Sequence, residues 1–338
     1  MTSINHHEID TSAQTLILIT GATGNVGRQV VSQLLGTGAR VRALTRNPDS
    51  TGLPHEVDVV RGDLSVRDTL DGCLDGVEAV FLVWRSPTAE AAPAFLEAVA
   101  KHARRIVFLS SAAVRDGVER QTEPIGKLHA DIEHLIEQSG REWTFLRPGG
   151  FATNAVWWWS PQIRAGDVVS WPYGAAAWAP IHERDIAAVA VRALTGEGHG
   201  GKKYALTGPQ SLTQRDQVHT IGEAIGRQLR FEEISPEDAR QQMLALMPPS
   251  IVDVLLETWA RMTTEPALLT RTVAEITGAP VRTFREWALD HGADFRLASE
   301  NSGFPALGRQ DRSSMRGEAG TQSGLSSPAS DRTMSTRS

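Results

Sequence analysis

TLILITGATGNVG, residues 15–27, joins a short run of strand-favouring side chains to three glycines at 21, 24 and 27. The apolar run predicts a buried first strand over Thr15–Thr20, ended by Gly21, where a tight turn can begin. Beyond the glycines, Val26, Val30, Leu34 and Leu35 recur at intervals that suit a helix packed on a sheet, and Gly36 to Gly38 end it. Strand, glycine turn and helix in this order are the phosphate-binding opening of a dinucleotide fold. Gly21 permits the turn, Gly24 lets backbone approach a pyrophosphate, and Gly27 leaves room between helix and sheet. The first helical turn then presents backbone donors to phosphate. Thr23, Asn25 and Val26 complete the expected cofactor-binding loop.

Outward from this start, short strands alternate with helical patterns. Strands are predicted over Arg40–Leu44, Glu56–Arg61, Ala79–Val83, Arg105–Ser110 and Trp143–Arg147. Helices are predicted around Val66, Leu70 and Leu74, then over Ala91–Ala103 and Lys127–Gln138. The alternation predicts an α/β, Rossmann-like, doubly wound parallel sheet. After Pro148-Gly149-Gly150 the rhythm breaks into an aromatic segment, Val156 to Trp171, with a further Trp at 178. A helix over Glu183–Leu194 and a strand over Lys203–Thr207 return to the main sheet. Helices over Gln214–Gly226, Pro236–Met247 and Ile251–Met262, with packing elements ending at Phe295, suggest a smaller C-terminal substrate lobe. The domains expected are therefore 14–155 with 181–207 for NAD(P) binding, and 156–180 with 208–295 for substrate. A flexible tail is expected over 1–13, and a disordered one over 296–338, which is rich in Ser, Gly, Arg, Asp and Thr.

The 338 residues suit about two domains. A formal charge of −6, from 34 basic and 40 acidic residues, gives no global reason to expect nucleic-acid binding. Cys73 stands alone, so neither an internal disulfide nor a cysteine zinc site is expected, and no metal is assigned. No apolar run reaches the roughly 18 residues of a membrane span, and no signal core follows Met1. The default location is cytoplasmic. Two Tyr stand against nine Trp, and neither Tyr is followed by Lys four residues later: Tyr173 precedes Ala177, and Tyr204 precedes Gly208. The usual Tyr-x-x-x-Lys pair of a short-chain dehydrogenase is missing.

Arg46, in LTRNP just beyond the second strand, stands where an acidic residue often binds the ribose 2′-hydroxyl of NAD. A guanidinium there suits a 2′-phosphate, so NADP(H) is the preferred cofactor, with NAD(H) possible. Asp63 in RGDL can accept from the adenine amino group or cap a strand end.

GATGNVG, LTRNP, RGDL, VFLVW, IVFLSSA, HADIEHLIEQSGREWTFLRPGGFATN and YALTGPQSLT together resemble the NmrA-like branch of atypical short-chain dehydrogenases/reductases and its quinone-reductase-like relatives. The resemblance runs from Leu16 to Phe295. It implies NAD(P) binding and a substrate cleft formed with the C-terminal lobe. The family includes reductases and also nucleotide-responsive proteins that need not catalyse hydride transfer. Alignment through Glu133 and Ser139-Gly140 places Ile125 at the usual Tyr and His129 at the usual Lys, with Lys127 displaced by two. His129 is then a candidate to polarise a carbonyl or exchange a proton. Lys127 is a candidate ribose or substrate contact, or a surface partner of Asp131, and His129 could likewise pair with Glu133.

Ser110 and Ser111 follow IVFL at the sheet edge where nicotinamide meets substrate in this fold. Ser111 is a candidate hydroxyl donor to a substrate oxygen. Ser110 either contacts nicotinamide or stabilises the strand end. RPGGFATN resembles the family's substrate-side loop, making Phe151 a pocket wall and Asn154 an amide contact, with Trp158 and Trp178 as aromatic surfaces or core. The expected function is an NADPH-dependent oxidoreductase acting on a small hydrophobic or aromatic carbonyl, quinone or conjugated electrophile, with a homodimer possible. A nonenzymatic NAD(P)-responsive regulatory or binding protein, and a cofactor-assisted isomerase or cyclase, are the alternatives.

Overall fold

The computed structural model describes residues 15–296 except 119 and 246. The tail expected over 1–13, and all of that expected over 296–338 except Arg296, lie outside the described residues. The chain begins with β1 (Leu16–Thr20), α1 (Asn25–Leu35), β2 (Arg40–Thr45), β3 (Asp58–Arg61), α2 (Leu70–Leu74), β4 (Ala79–Leu82), α3 (Ala92–His102), β5 (Arg105–Leu109), α4 (Pro124–Gln138) and β6 (Glu142–Pro148). It continues with α5 (Asn154–Ala165), β7 (Val168–Trp171), β8 (Ala177–Trp178), α6 (Glu183–Thr195) and β9 (Lys202–Leu206). The last elements are β10 (Leu212–Thr213), α7 (Gln214–Ile225), β11 (Arg230–Glu233), α8 (Pro236–Leu244), α9 (Pro249–Met262), α10 (Thr272–Thr277) and α11 (Phe284–Asp290).

Seven strands form one sheet in the order β3-β2-β1-β4-β5-β6-β9, every pairing parallel. The strand order reverses between β1 and β4, and that switch point places a ligand crevice at their carboxyl ends. Both faces are covered, which is why β1 reads as an unbroken apolar run. Ile17 and Ile19 face a core shared with Val30 of α1 and Ile186, Val189 and Ala190 of α6. Leu16 and Leu18 face a second core with Phe95, Leu96, Ile132 and Ile136. The edge strand β9 returns to pair with β6 after the α5–α6 excursion.

A third core lies outside the sheet and joins Trp158, Trp159, Trp171, Trp178, Trp259 and Trp287 with residues of α7, α8 and α9. Two small sheets bind this region, β7 with β11 in parallel and β8 with β10 antiparallel. None of the described helices is long and apolar enough to cross a membrane.

Several boundaries differ from the sequence reading. Helix α4 begins at Pro124 rather than Lys127, because the Glu123 carboxylate accepts from the N–H groups of Ile125 at 3.0 Å and Gly126 at 2.6 Å. The helix expected around Val66 is a 3-10 turn over Arg67–Thr69 followed by the short α2. Strand β11, reading RFEE, lacks the alternation that would mark it, and it forms through pairing with β7.

Candidate active site

The glycine loop joins the carboxyl end of β1 to the head of α1. Thr20 ties it to the neighbouring strand by accepting from the Val83 N–H at 2.7 Å. Gly21 takes a left-handed φ of 64°, which favours glycine. A Cβ on Gly27 would lie 2.1 Å from the Gly21 carbonyl oxygen, so only glycine lets α1 approach the loop this closely. Gly24 caps α1 without any side chain on the helix end, and the first turn carries no acidic residue. The terminal N–H groups of α1 therefore face no competing anion. These features fit a dinucleotide pyrophosphate. Val26 can contribute only its backbone, because its side chain is in the core. Arg28 holds the loop from the side, donating to Thr23 O at 2.9 Å and Thr51 O at 2.8 Å.

Arg46 is exposed just past β2, and its guanidinium makes no hydrogen bond or ion pair among the described residues. Asp63, past β3, accepts from Ser65 through both its N–H at 2.9 Å and its hydroxyl at 2.7 Å. These bonds, aided by the Arg46 charge, hold its carboxyl below the usual range. The Ser65 contacts engage only Oδ1, so the turn-forming role of Asp63 leaves Oδ2 for a ligand.

Ser110 is buried just past the end of β5. Its buried hydroxyl donates to Glu133 Oε1 at 2.5 Å. Glu133 in turn receives Arg147 Nε at 2.9 Å and Nη2 at 2.5 Å, and Arg147 Nη1 reaches Asp116 at 2.8 Å. Of the two roles read for Ser110, the geometry favours the strand end. Ser111, one residue on, is half-buried, and its Oγ accepts from the Ala113 N–H at 3.1 Å, leaving its O–H free to donate.

On α4 the two candidates separate. Lys127 is exposed and paired with Asp131 at 2.5 Å, the surface arrangement read as its alternative role. His129 lies over Phe108 with ring centroids 5.9 Å apart, and its Nδ1 bonds the Ile125 carbonyl at 2.8 Å. A carbonyl only accepts, so Nδ1 carries the proton and the neutral ring offers Nε2 as an acceptor. Burial lowers the His129 pKa, against the pull of the Ile125 carbonyl and of Glu133. The expected His129–Glu133 pair gives way to Arg147, which holds both carboxylate oxygens.

Beyond β6, Phe151 bridges Ile181, and Ile181 N–H returns to Gly150 O at 3.0 Å. Asn154 opens α5, and its carboxamide makes no hydrogen bond among the described residues. Trp158 and Trp178 belong to the third core, where Trp158 stands edge-on to Trp159, Trp178 and Trp259. Trp157, in the same aromatic segment, is 48 % exposed. Its spacing of three from Asn154 places both on one helix face, a signal present in the sequence. A separate cavity of about 690 Å³ lies against β7 and β11, beside Arg215, His219, Arg230 and Phe231, and none of the candidate residues lines it.

His182 and Asp185 are buried at the head of α6. His182 Nδ1 caps the helix by accepting from the Arg184 N–H at 3.2 Å. Asp185 takes the Arg282 N–H at 2.8 Å and pairs with the Arg282 guanidinium. Between them, Glu183 accepts from His291 at 2.8 Å, and His291 also bonds Asp294 at 2.9 Å. Burial opposes both charges, but the His291 contact holds Glu183 below the usual carboxylate range, and Asp294 with Glu183 raises His291 to about 9. A raised histidine pKa stabilises fully below the free value of 6.5, and that contribution is lost as pH rises through about 9. Melting temperatures should therefore fall across this window. In His291→Asn that part of the slope should vanish, and an unchanged slope would refute the assignment.

The parallel sheet and glycine loop, taken with the family and relatives that follow, make the chain an NAD(P)H-dependent oxidoreductase of the atypical short-chain dehydrogenase type. Residues 21–197 match the family model described as NAD(P)H-binding, and the chain belongs to that family. It is 40 % identical over 283 residues to the (4-alkanoyl-5-oxo-2,5-dihydrofuran-3-yl)methyl phosphate reductase of Streptomyces griseus, covering 83 % of this chain and 99 % of the relative. It is 34 % identical over 288 residues to the NAD(P)H azoreductase of Xenophilus azovorans, covering 84 % and 100 %. In fold it is similar to the NADPH complex of an Escherichia coli quinone oxidoreductase, with a TM-score of 0.67, 24 % identity and coverage of 80 % and 98 %. The cofactor is NAD(P)(H).

Proposed function

We propose that the protein reduces small conjugated electrophiles with NADPH. The observation that carries this reading is the head of α1, where no side chain makes a capping hydrogen bond and no acidic residue stands in the first turn, with Arg46 exposed just past the neighbouring strand β2. Relatives named for a furanone phosphate, an azo compound and a quinone support the substrate class, because each of these acceptors is an electron-poor conjugated π system.

Reduced dinucleotide, when bound, supplies hydride. The glycine loop holds the pyrophosphate through backbone N–H groups, and Arg46 pairs with the 2′-phosphate. Ser111 donates its hydroxyl to the substrate oxygen that gains electron density. His129, neutral and protonated on Nδ1, accepts from the substrate side through Nε2, so the completing proton comes from solvent. Phe151 and Asn154 border the substrate, and Lys127 takes no part.

Absorbance at 340 nm should fall when NADPH is mixed with enzyme and an acylfuranone, azo dye or quinone. Arg46→Ala should raise the KM for NADPH roughly tenfold or more, the size of a lost charge-assisted pair, and leave that for NADH nearly unchanged. Tight NADPH binding without oxidation by any of the three acceptors would instead favour the nonenzymatic nucleotide-responsive reading, which the absence of a Tyr at Ile125 motivates.

A further inference from the structure

Helix α5, which opens on Asn154, is tied near both ends to one cluster of ionisable side chains. At its head, Ala152 N–H donates to Ile181 O at 2.9 Å and Ile181 N–H to Gly150 O at 3.0 Å, which stitches the Phe151 loop to the residue before His182. At its tail, Arg164 Nε donates at 3.0 Å to the main-chain oxygen of Asp294, in a 3-10 turn over Gly292–Phe295. His291 links the two ends, with Nε2 2.8 Å from Glu183 Oε1 and Nδ1 2.9 Å from the Asp294 carboxylate. From Ile181 through Glu183, His291, Asp294 and Arg164, the contacts run back along α5 and close a ring. Around it, His182 Nδ1 accepts from the Arg184 N–H and its Nε2 faces Asp290 at 3.3 Å. Asp290 also takes Arg184 at 2.7 Å, Asp185 holds Arg282, and Glu286 caps the head of α11 through Thr283.

Both nitrogens of His291 meet carboxylate oxygens, which only accept, so only the doubly protonated ring serves both. Glu183 depends on that ring: it is buried, and its Oε2 makes no hydrogen bond among the described residues. We infer that His291, as a cation, is a positioning residue that keeps the ring of contacts closed and so fixes how Phe151 and Asn154 meet the substrate. The inference rests on the reading of their loop as the substrate side. A neutral imidazole has one N–H and serves only one of the two carboxylates. The other is left without its donor, and losing either bond parts the 3-10 turn from α6. Helix α6 itself stays, because Ile186, Val189 and Ala190 hold it on the sheet, and what loosens is the far end of α5. The glycine loop and Arg46 lie outside the ring, so the cofactor end does not respond. Burial lowers the His291 pKa, but Asp294 and Glu183 together raise it to about 9, which puts the opening at alkaline pH.

Methyl red, an azo acceptor whose charge is constant above neutral pH, tests the ring at a temperature where every form stays folded. As pH rises from neutral through about 9, KM for the dye should rise about fivefold, the scale of one lost hydrogen bond, while KM for NADPH holds. Asp294→Asn removes one of the two charges that raise the His291 pKa, so the midpoint of the rise should move to lower pH. His291→Gln carries a neutral carboxamide that does not titrate, so its KM should be the same across the range. The dissociation constant of the dye from NADP⁺-loaded protein, which needs no turnover, should follow the same three curves. A pH-dependent dissociation constant without any turnover would sink the reductase reading and uphold the ring. A flat wild-type curve, an unmoved midpoint in Asp294→Asn, or a parallel rise in KM for NADPH would overturn the ring. So would protein that binds no dye at any pH, which would take the azo acceptor with it.

Discussion

Gly27→Ala is expected to weaken NADPH binding at least a hundredfold and to lower the melting temperature of the unliganded protein. The added Cβ would meet three backbone atoms, Gly21 O at 2.1 Å, Gly21 C at 2.8 Å and Ala22 Cα at 2.9 Å. Backbone at the end of a buried strand cannot swing aside like a flexible side chain, so α1 must withdraw from the loop. Withdrawal opens the packing of Val26 and Val30 on the sheet and misaligns the N–H groups meant for pyrophosphate, so stability and binding fall together. Gly72→Ala is the control, because its Cβ would meet nothing within 4 Å and alanine suits a helix. Fluorescence titration with NADPH and a thermal melt measure both effects. Gly27→Ala binding NADPH as tightly as wild type would remove pyrophosphate from the head of α1.

Glu133→Ala should destabilise the fold by about 3–5 kcal/mol, the range for breaking a buried pair by removing one partner. Glu133 and Arg147 are both buried, and Glu133 also receives Ser110. Burial works against the Arg147 charge, yet the bonds from Glu133 and Asp116 raise its pKa above the usual arginine value. Without Glu133 the guanidinium keeps its charge with only the exposed Asp116 as a partner. A margin of roughly 5–15 kcal/mol is typical of whole domains, so the variant should unfold at much lower denaturant. Glu133→Leu combined with Arg147→Met should recover much of the loss, since an apolar pair has no buried charge to strand. A double variant as unstable as Glu133→Ala would show that the ion pair itself is required. Chemical denaturation of the set, treated as a double-mutant cycle, gives the coupling.

The sheet was legible because its signals are local. The apolar run at β1, the glycine spacing and the alternation of short strands with helices each lie within a few residues, and a parallel sheet buried on both faces writes itself as such runs. The head of α4 could also have been read, from Glu123 followed by Pro124. The candidate site was less legible. Ser110, Glu133 and Arg147 meet across 23 and 14 residues, and no local pattern distinguishes a buried Arg from a solvated one. The helical period shows that Trp157, Trp158 and Trp159 cannot share one face, but its phase is set by Trp178 and Trp259, far along the chain.

The position of α6 in the chain also bears on the order in which the molecule can be assembled as it is synthesised. Strands β1 to β6 and their helices are complete by Pro148, yet the face of the sheet beside α1 still lacks the helix that supplies Ile186, Val189 and Ala190. The Trp-rich segment of α5 to β8 intervenes, and its own core waits for Trp259 and Trp287 much later. A nascent chain thus carries two unfinished apolar surfaces at once, the half-covered sheet and a cluster of indoles, until residues beyond α6 emerge. Vectorial synthesis makes this interval the period of greatest exposure to misassociation, and the late arrival of α6 closes the first of those surfaces.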